Sequence, residues 1–417
     1  MNAMSSPVPI FTRAAILSVA AFLVPFLAMP TPRFAAVLLS VVSVVFFVVF
    51  RPRLGFLRAV DGALFALVAV FIVWMIVTIV WSLFPAPFAV RTVAQVAGAS
   101  LAGLITIATA RSLDEDGRRR VADALAAGVA VALLVLLCVY LVELNDAIRD
   151  LQGSFLFARH FDRGATVAAI LLWPALHGLV RAGRVRVAIG LFLLTCVAVG
   201  ISYSLAAKAA LAVGLITAGV TWRIPRTGTI AAGVLMVAVF LAMPLAGSAI
   251  PPPEQTAQWP GLNASAHHRL TIWRHVSGLI SNSPWIGHGI ESSRIFGDKR
   301  TITALLPGRP PAIEELLPLH PHNAALQIYL ELGAVGALLA AAILGMITWC
   351  IARAPVDRVS TAAAAAALGS VYTIAMLSYG IWQSWWLCTI WFAAVFTLAN
   401  IGRQINWHRG VPTNEAP

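Results

Sequence analysis

The chain has 417 residues, 60% of them hydrophobic and only 11% charged, with 29 basic against 17 acidic side chains. A soluble globular protein is less apolar and more charged, so the composition points to a polytopic membrane protein. The basic excess does not imply nucleic acid, because the arginines stand between apolar segments and do not gather into a patch.

About 20 consecutive apolar residues cross the hydrocarbon core as a helix. On that rule the sequence offers about 12 transmembrane candidates, at roughly 14–31, 34–50, 60–82, 89–110, 121–142, 164–181, 185–203, 205–222, 228–249, 325–351, 360–379 and 385–402. Met1 to Arg13 shows no small-residue cleavage site, so the first span is expected to remain as an anchor. Arg13; Arg51, Arg53 and Arg58; Arg111, Arg118, Arg119 and Arg120; Arg181, Arg184 and Arg186; Arg223 and Arg226; Arg353 and Arg358; and Arg403 and Arg409 fall at every second boundary. The positive-inside rule assigns those boundaries, and both termini, to the cytoplasm. The expected architecture is an all-α polytopic membrane protein, one domain over 1–417, with a periplasmic loop at 250–321 inserted between the ninth and tenth spans. Cys138, Cys196, Cys350 and Cys388 lie inside apolar spans, which predicts neither a disulfide nor a thiolate metal site.

On the outer side, Arg159 and Arg163 flank His160 in the first longer connection, and Lys208 opens a span otherwise free of charge. The insertion starts with Pro251-Pro-Pro, a helix stop. Leu270, Trp273, Val276 and Ile280 then recur at helical spacing, predicting an amphipathic helix on the outer surface that carries Arg269 and Arg274. Ser283-Pro-Trp-Ile-Gly-His-Gly289 is turn chemistry. These five cations are on the side where orientation does not require them. Arginine's planar fork bonds phosphate oxygens in pairs, which suits the diphosphate of a lipid carrier. The plainer reading of each is snorkelling to headgroups or pairing with Asp162, Glu143 or Asp150.

His320-Pro-His-Asn-Ala-Ala-Leu-Gln-Ile-Tyr-Leu-Glu-Leu-Gly-Ala-Val-Gly336 leads into the tenth span. Pro321 suits the first turn of a helix, which would set His322 at its positive end. A positive helix end disfavours a second proton on the ring and leaves a nitrogen free to act as a general base. An interfacial histidine that caps a helix is the plainer reading. His320, two residues earlier, competes for the role, and His160, His267 and His275 follow if the loop folds down. Trp382, Trp385, Trp386 and Trp391 read as an interfacial aromatic belt, and Glu291, Glu314 and Glu315 as solvated. There is no metal-ligand spacing, Walker loop or dinucleotide fingerprint, so neither metal nor cofactor is expected.

The stretches Arg269-Leu-Thr-Ile-Trp-Arg274 through Ser283-Pro-Trp-Ile-Gly-His-Gly289, and His322-Asn-Ala-Ala-Leu-Gln-Ile-Tyr-Leu-Glu-Leu-Gly-Ala-Val-Gly336, carry a resemblance. The chain resembles the O-antigen ligase and polymerase family, above all its lipopolysaccharide O-antigen ligases. The resemblance covers about 260–340 closely and the remainder by topology. It implies a GT-C-like glycosyltransferase that moves O-antigen glycan from undecaprenyl diphosphate to the outer sugar of lipid A-core. Transfer would be inverting and metal-independent, at the periplasmic face of the Gram-negative inner membrane. The resemblance implies His322 as the base, with Arg269, Arg274, Arg159 and Arg163 as cations for the donor; Lys208 joins them on charge placement alone. Its alternatives are an O-antigen polymerase or a protein O-oligosaccharyltransferase. A membrane transporter ranks below these, because the charges sit at the outer face and no repeated halves are visible.

Overall fold

The computed structural model describes residues 12–50, 61–148, 155–297, 301–304 and 312–401. Apolar runs led in by short polar capping residues fold as helices. Asp61, Ser204, Asn263, Asn323 and Asp357 each accept backbone N–H bonds at a helix start. In chain order the helices are α1 (Arg13–Leu27), α2 (Phe34–Phe50), α3 (Gly62–Thr78), α4 (Ala86–Arg111), α5 (Glu115–Ile148), α6 (Phe155–Arg181), α7 (Val185–Ile201) and α8 (Leu205–Arg223). Then come α9 (Pro225–Ser248), short α10 (Pro253–Thr256), α11 (Ala264–Ile280), short α12 (Ser293–Gly297), α13 (Ala324–Arg353), α14 (Arg358–Leu377) and α15 (Ser384–Ile401).

Among the described residues, 9 helices are long and apolar enough to cross a membrane, which fits a polytopic membrane protein. The apolar helices α1, α2 and α7 are shorter, at 15, 17 and 17 residues. The expectation of an all-α chain needs one correction. The insertion holds a two-stranded antiparallel hairpin, β1 (Thr301–Ala304) and β2 (Ala312–Glu315). Alternating Thr-Ile-Thr and Ile313 supply the β-branched residues that favour strands.

Two apolar clusters form. One joins α1, α2, α5, α6, α7, α8 and α15 with parts of α4 and α14. The other joins α3, α9, α11 and α13 with the remainder of α4, and it takes in Met376 from the last turn of α14 and Trp382 from the α14–α15 connection. That connection therefore lies on the seam between the clusters. The insertion's helix α11 packs on α9 and α13, burying Ile272, Val276 and Ile280 and half-burying Leu270 and Trp273.

α13 is not continuous. Gly333 has φ +67°, and the helix breaks there. The turn at 283–289 fills the break. His288 and Gly289 donate to the carbonyls of Leu330 and Glu331, at 2.9 Å each, while Ala334 and Val335 donate to Pro284 and Trp285, at 2.8 and 3.2 Å. A Cβ on Gly287 would stand 2.5 Å from the Glu331 carbonyl carbon, and one on Gly333 would stand 2.3 Å from the Trp285 oxygen. Both glycines also have φ near +70°, where an L side chain is strained. The Ser-Pro-x-x-Gly-x-Gly stretch is thus the splint of a broken helix.

Candidate active site

Asn323, Gln327 and Glu331 recur four residues apart, so they share one face of the first half of α13. That face is stitched to the α14–α15 connection. The Asn323 amide donates to the Met376 carbonyl at 3.0 Å. Gln327 accepts from the Ile381 N–H at 3.0 Å, and Glu331 accepts from the Trp382 indole at 2.7 Å. Glu331 is fully buried and also accepts from Ser293 (2.7 Å), Gln327 (3.1 Å) and the Glu291 N–H (2.6 Å). Two expectations are corrected here. Trp382, Trp385 and Trp386 are buried in protein and do not form a lipid-facing belt, because their ring faces pack in the two cores. Glu291 is likewise buried, held by the Thr92 hydroxyl at 2.6 Å and by Arg294.

His322 lies just before this stitched face. α13 starts only after the Asn323 cap, so Pro321 is not in its first turn and the histidine stands outside the helix. Its backbone is held at φ +54°, a left-handed conformation that costs a non-glycine residue of order 1–3 kcal/mol. Its Nδ1 bonds the Ser378 carbonyl. A carbonyl only accepts, so Nδ1 carries the proton and the neutral ring keeps its lone pair on Nε2. Burial pushes the His322 pKa below the ordinary histidine value. The Ser378 bond opposes this, and the charges of Arg269 and His268 add to it.

His320 packs edge-on to His322 with ring centroids 4.4 Å apart, but donors face both its nitrogens. The His322 N–H points at Nδ1 at 3.3 Å, and the Gln383 amide at Nε2 at 3.2 Å. Its lone pair is therefore committed in either tautomer. Its pKa is pushed down to about 3, first by burial and then by His322 and Arg294. Of the two rings, His322 has the nitrogen available to receive a proton.

The cations divide. Arg269 is half-buried, bonds Ser265 at 2.8 Å, and is close enough to His322 and Tyr379 for each to feel its charge. Burial lowers its pKa and leaves Nε without a partner. Tyr379 connects this side to α6. Its hydroxyl pairs with Thr166 at 3.1 Å and its ring meets Trp385 edge-on at 4.6 Å, while Arg163 lies over the Trp385 ring at 5.9 Å. Lys208 is exposed in the first turn of α8, and just before it the Tyr203 N–H bonds Asp162, the neighbour of Arg163, at 3.1 Å. Arg163 and Lys208 thus occupy the same rim.

Arg274 is turned the other way, bonding the Ile250 carbonyl past the end of α9. Arg274→Gln is therefore expected to lower the melting temperature, by the 1.5–3 kcal/mol or so of a charged hydrogen bond, with donor affinity unchanged in a binding titration. The side chains of Arg159 and His160 lie outside the described residues. His267 and His268 are occupied by the Pro253 and Glu315 carbonyls at 3.0 and 2.8 Å.

The sequence reading missed two site residues. Arg294 pairs with Glu291 and affects His320; Tyr379 packs on the first core and joins the α14–α15 connection to Thr166 of α6. The i, i+4 spacing of 323, 327 and 331 was the available signal that this face meets protein and not lipid. Among the described residues no three His, Cys, Asp or Glu side chains come together as a metal-ligand set.

Residues 190–341 match the family model described as O-antigen ligase. That region contains Arg269, both histidines, the splint and Glu331. A Rickettsia conorii protein named "Putative polysaccharide ligase" is 28% identical over 301 residues, which is 70% of each chain. Like-named proteins of Rickettsia felis and Rickettsia prowazekii are 29% and 30% identical over 57–58% of this chain and 58–60% of their own. These findings support the O-antigen ligase family.

Proposed function

We propose that the chain is a lipopolysaccharide O-antigen ligase that transfers glycan from undecaprenyl diphosphate to the outer sugar of lipid A-core. We place this at the periplasmic face of the inner membrane, with both termini cytoplasmic and the 250–321 segment as the periplasmic insertion of a single membrane domain. The observation that carries the reading is the Ser378 bond to His322 Nδ1, which leaves Nε2 as an open acceptor beside Arg269.

The acceptor hydroxyl oxygen attacks the anomeric carbon of the donor's first sugar, and His322 Nε2 takes the hydroxyl proton. The bond from that carbon to the diphosphate oxygen breaks on the opposite face, inverting the centre, and the diphosphate leaves with the electron pair. Arg269, Arg163 and Lys208, joined by Arg159 from the same outer connection, neutralise the departing charge. The imidazolium then loses its proton to water. The donor's sugar–phosphate bond is already activated, so positioning two lipids and removing one proton are sufficient and no metal step is required.

The test is reconstitution of the purified protein with a lipid-diphosphate glycan and a core-lipid acceptor, with and without chelator. Chelator-insensitive transfer to the core lipid is expected. Transfer only onto a second carrier-linked glycan would identify a polymerase instead, and loss of activity with chelator would overturn the metal-independent scheme. In the same assay Arg163→Gln and Arg269→Gln should each weaken donor binding roughly ten- to hundredfold, the 1.5–3 kcal/mol or so of a charged contact. Unchanged donor binding in both would reduce them to headgroup anchors.

A further inference from the structure

At the other end of the bundle, a cavity of about 290 Å³ lies between α6, α8 and α14. Its walls are helical faces: Trp173, His177 and Val180 from α6, Gly219 and Trp222 from α8, Ala363 from α14. Ligand cavities run from about 300 to 1,000 Å³, so this one accommodates a single hydrocarbon chain and no bulky headgroup. The floor is fixed. The Trp173 indole donates to Ser370 at 2.7 Å, and Ser370 donates to the Ala210 carbonyl at 2.9 Å, so the ring is held back from the space. Gly219 faces the opening, with nothing within 4 Å of where its Cβ would stand.

The cavity ends within one residue of two arginines. Trp222 precedes Arg223 at the end of α8, and Val359 follows Arg358 at the start of α14. Both arginines are exposed, and neither has an ion-pair partner among the described residues. The nearby Arg181 is already paired with Asp357, and Arg184 with Asp123. An apolar slot for one chain, with two exposed arginines adjoining its lining residues in sequence, is complementary to a lipid with an acyl chain and a net negative head.

We propose that this cavity is a binding site for an anionic phospholipid, one acyl chain between α6, α8 and α14 and the phosphate on Arg223 and Arg358. It is not a second site for the glycan carrier. Arg163 and Arg181 are near opposite ends of α6, roughly 27 Å apart along its axis at 1.5 Å per residue. A carrier with its diphosphate at the Arg163 end has its head in the other leaflet. The site therefore ties the bundle to lipids of the leaflet opposite the Arg163 end of α6, and it stands independently of the proposed reaction.

The experiment is native mass spectrometry of the full chain in detergent, titrated separately with phosphatidylglycerol, phosphatidylethanolamine and undecaprenyl phosphate. Two arginines near a membrane surface favour an anionic lipid by roughly ten- to thirtyfold over a zwitterionic one. Wild type should retain phosphatidylglycerol by about that margin. The double variant Arg223→Gln/Arg358→Gln should lose the margin, and Gly219→Leu, which fills the slot, should lower retention of both phospholipids. Equal retention of the two by wild type, or a double variant that keeps the preference, would overturn the site. So would undecaprenyl phosphate outcompeting phosphatidylglycerol in a manner abolished by Gly219→Leu. The arginines are exposed surface residues, so the double variant decides the question even if Gly219→Leu fails to fold.

Discussion

His322→Asn is expected to reduce glycan transfer by about two to four orders of magnitude, the usual contribution of a positioned general base, while donor binding and folded yield stay near wild type. Asparagine tolerates the left-handed backbone that position 322 adopts, so the substitution removes the base without adding strain. His320→Ala should cost far less, because the ring it removes already has its lone pair committed to the Gln383 amide or the His322 N–H. The comparison is made by surface glycan in a strain lacking its own ligase and by initial rates in vitro. If His320→Ala is the silent variant and His322→Asn the dead one, the assignment stands. The reverse order would identify His320 as the base.

The second large effect is on folding. Glu331→Leu should prevent accumulation of folded protein, measured as the monodisperse peak in fluorescence-detected size exclusion. Glu331 accepts from the Glu291 N–H, Ser293, Gln327 and Trp382 in a fully buried setting. A buried donor left unpaired costs about 1–3 kcal/mol, and with Ser293 able to turn to the Leu319 carbonyl three donors are stranded, a loss comparable to the entire stability of an ordinary domain. The loss would also free Trp382 from α13, and with it one tie of the connection that holds His322 through Ser378, while the backbone bonds of the splint remain. A Glu331→Leu protein with wild-type yield and melting temperature would show that the bonds to Glu331 are dispensable to the fold.

The apolar runs of the sequence were legible as helices because membrane-length segments announce themselves by composition alone. Each of the 12 sequence candidates coincides with a helix, although three of these are short for a span. What composition could not give was which side of an apolar helix meets protein. Trp382, Trp385 and Trp386 look like a belt until Glu331 is seen to hold one of their N–H groups and the cores to take the rings. The break at Gly333 was also hidden, since Leu-Gly-Ala-Val-Gly continues an apolar pattern; its cause is a turn some 45 residues earlier that supplies the missing backbone bonds. At the site, His322 and Arg269 could be picked out by residue type and motif. Tyr379 could not, because a tyrosine in a short apolar connection carries no signal until its contacts with α6 and the start of α15 are known.

The measurement that bears most directly on the central claim, a neutral His322 that keeps its lone pair on Nε2, is the pH dependence of kcat/KM for transfer. Burial lowers the His322 pKa, so the ring stays unprotonated, and the base form populated, below the ordinary histidine value of 6.5. Activity should therefore hold its plateau as pH falls through about 6.5 and decline only in more acidic solution, and the residual activity of His322→Asn should lack that decline. A wild-type rate already half lost at or above pH 6.5, or an acid limb that persists in His322→Asn, would contradict the account.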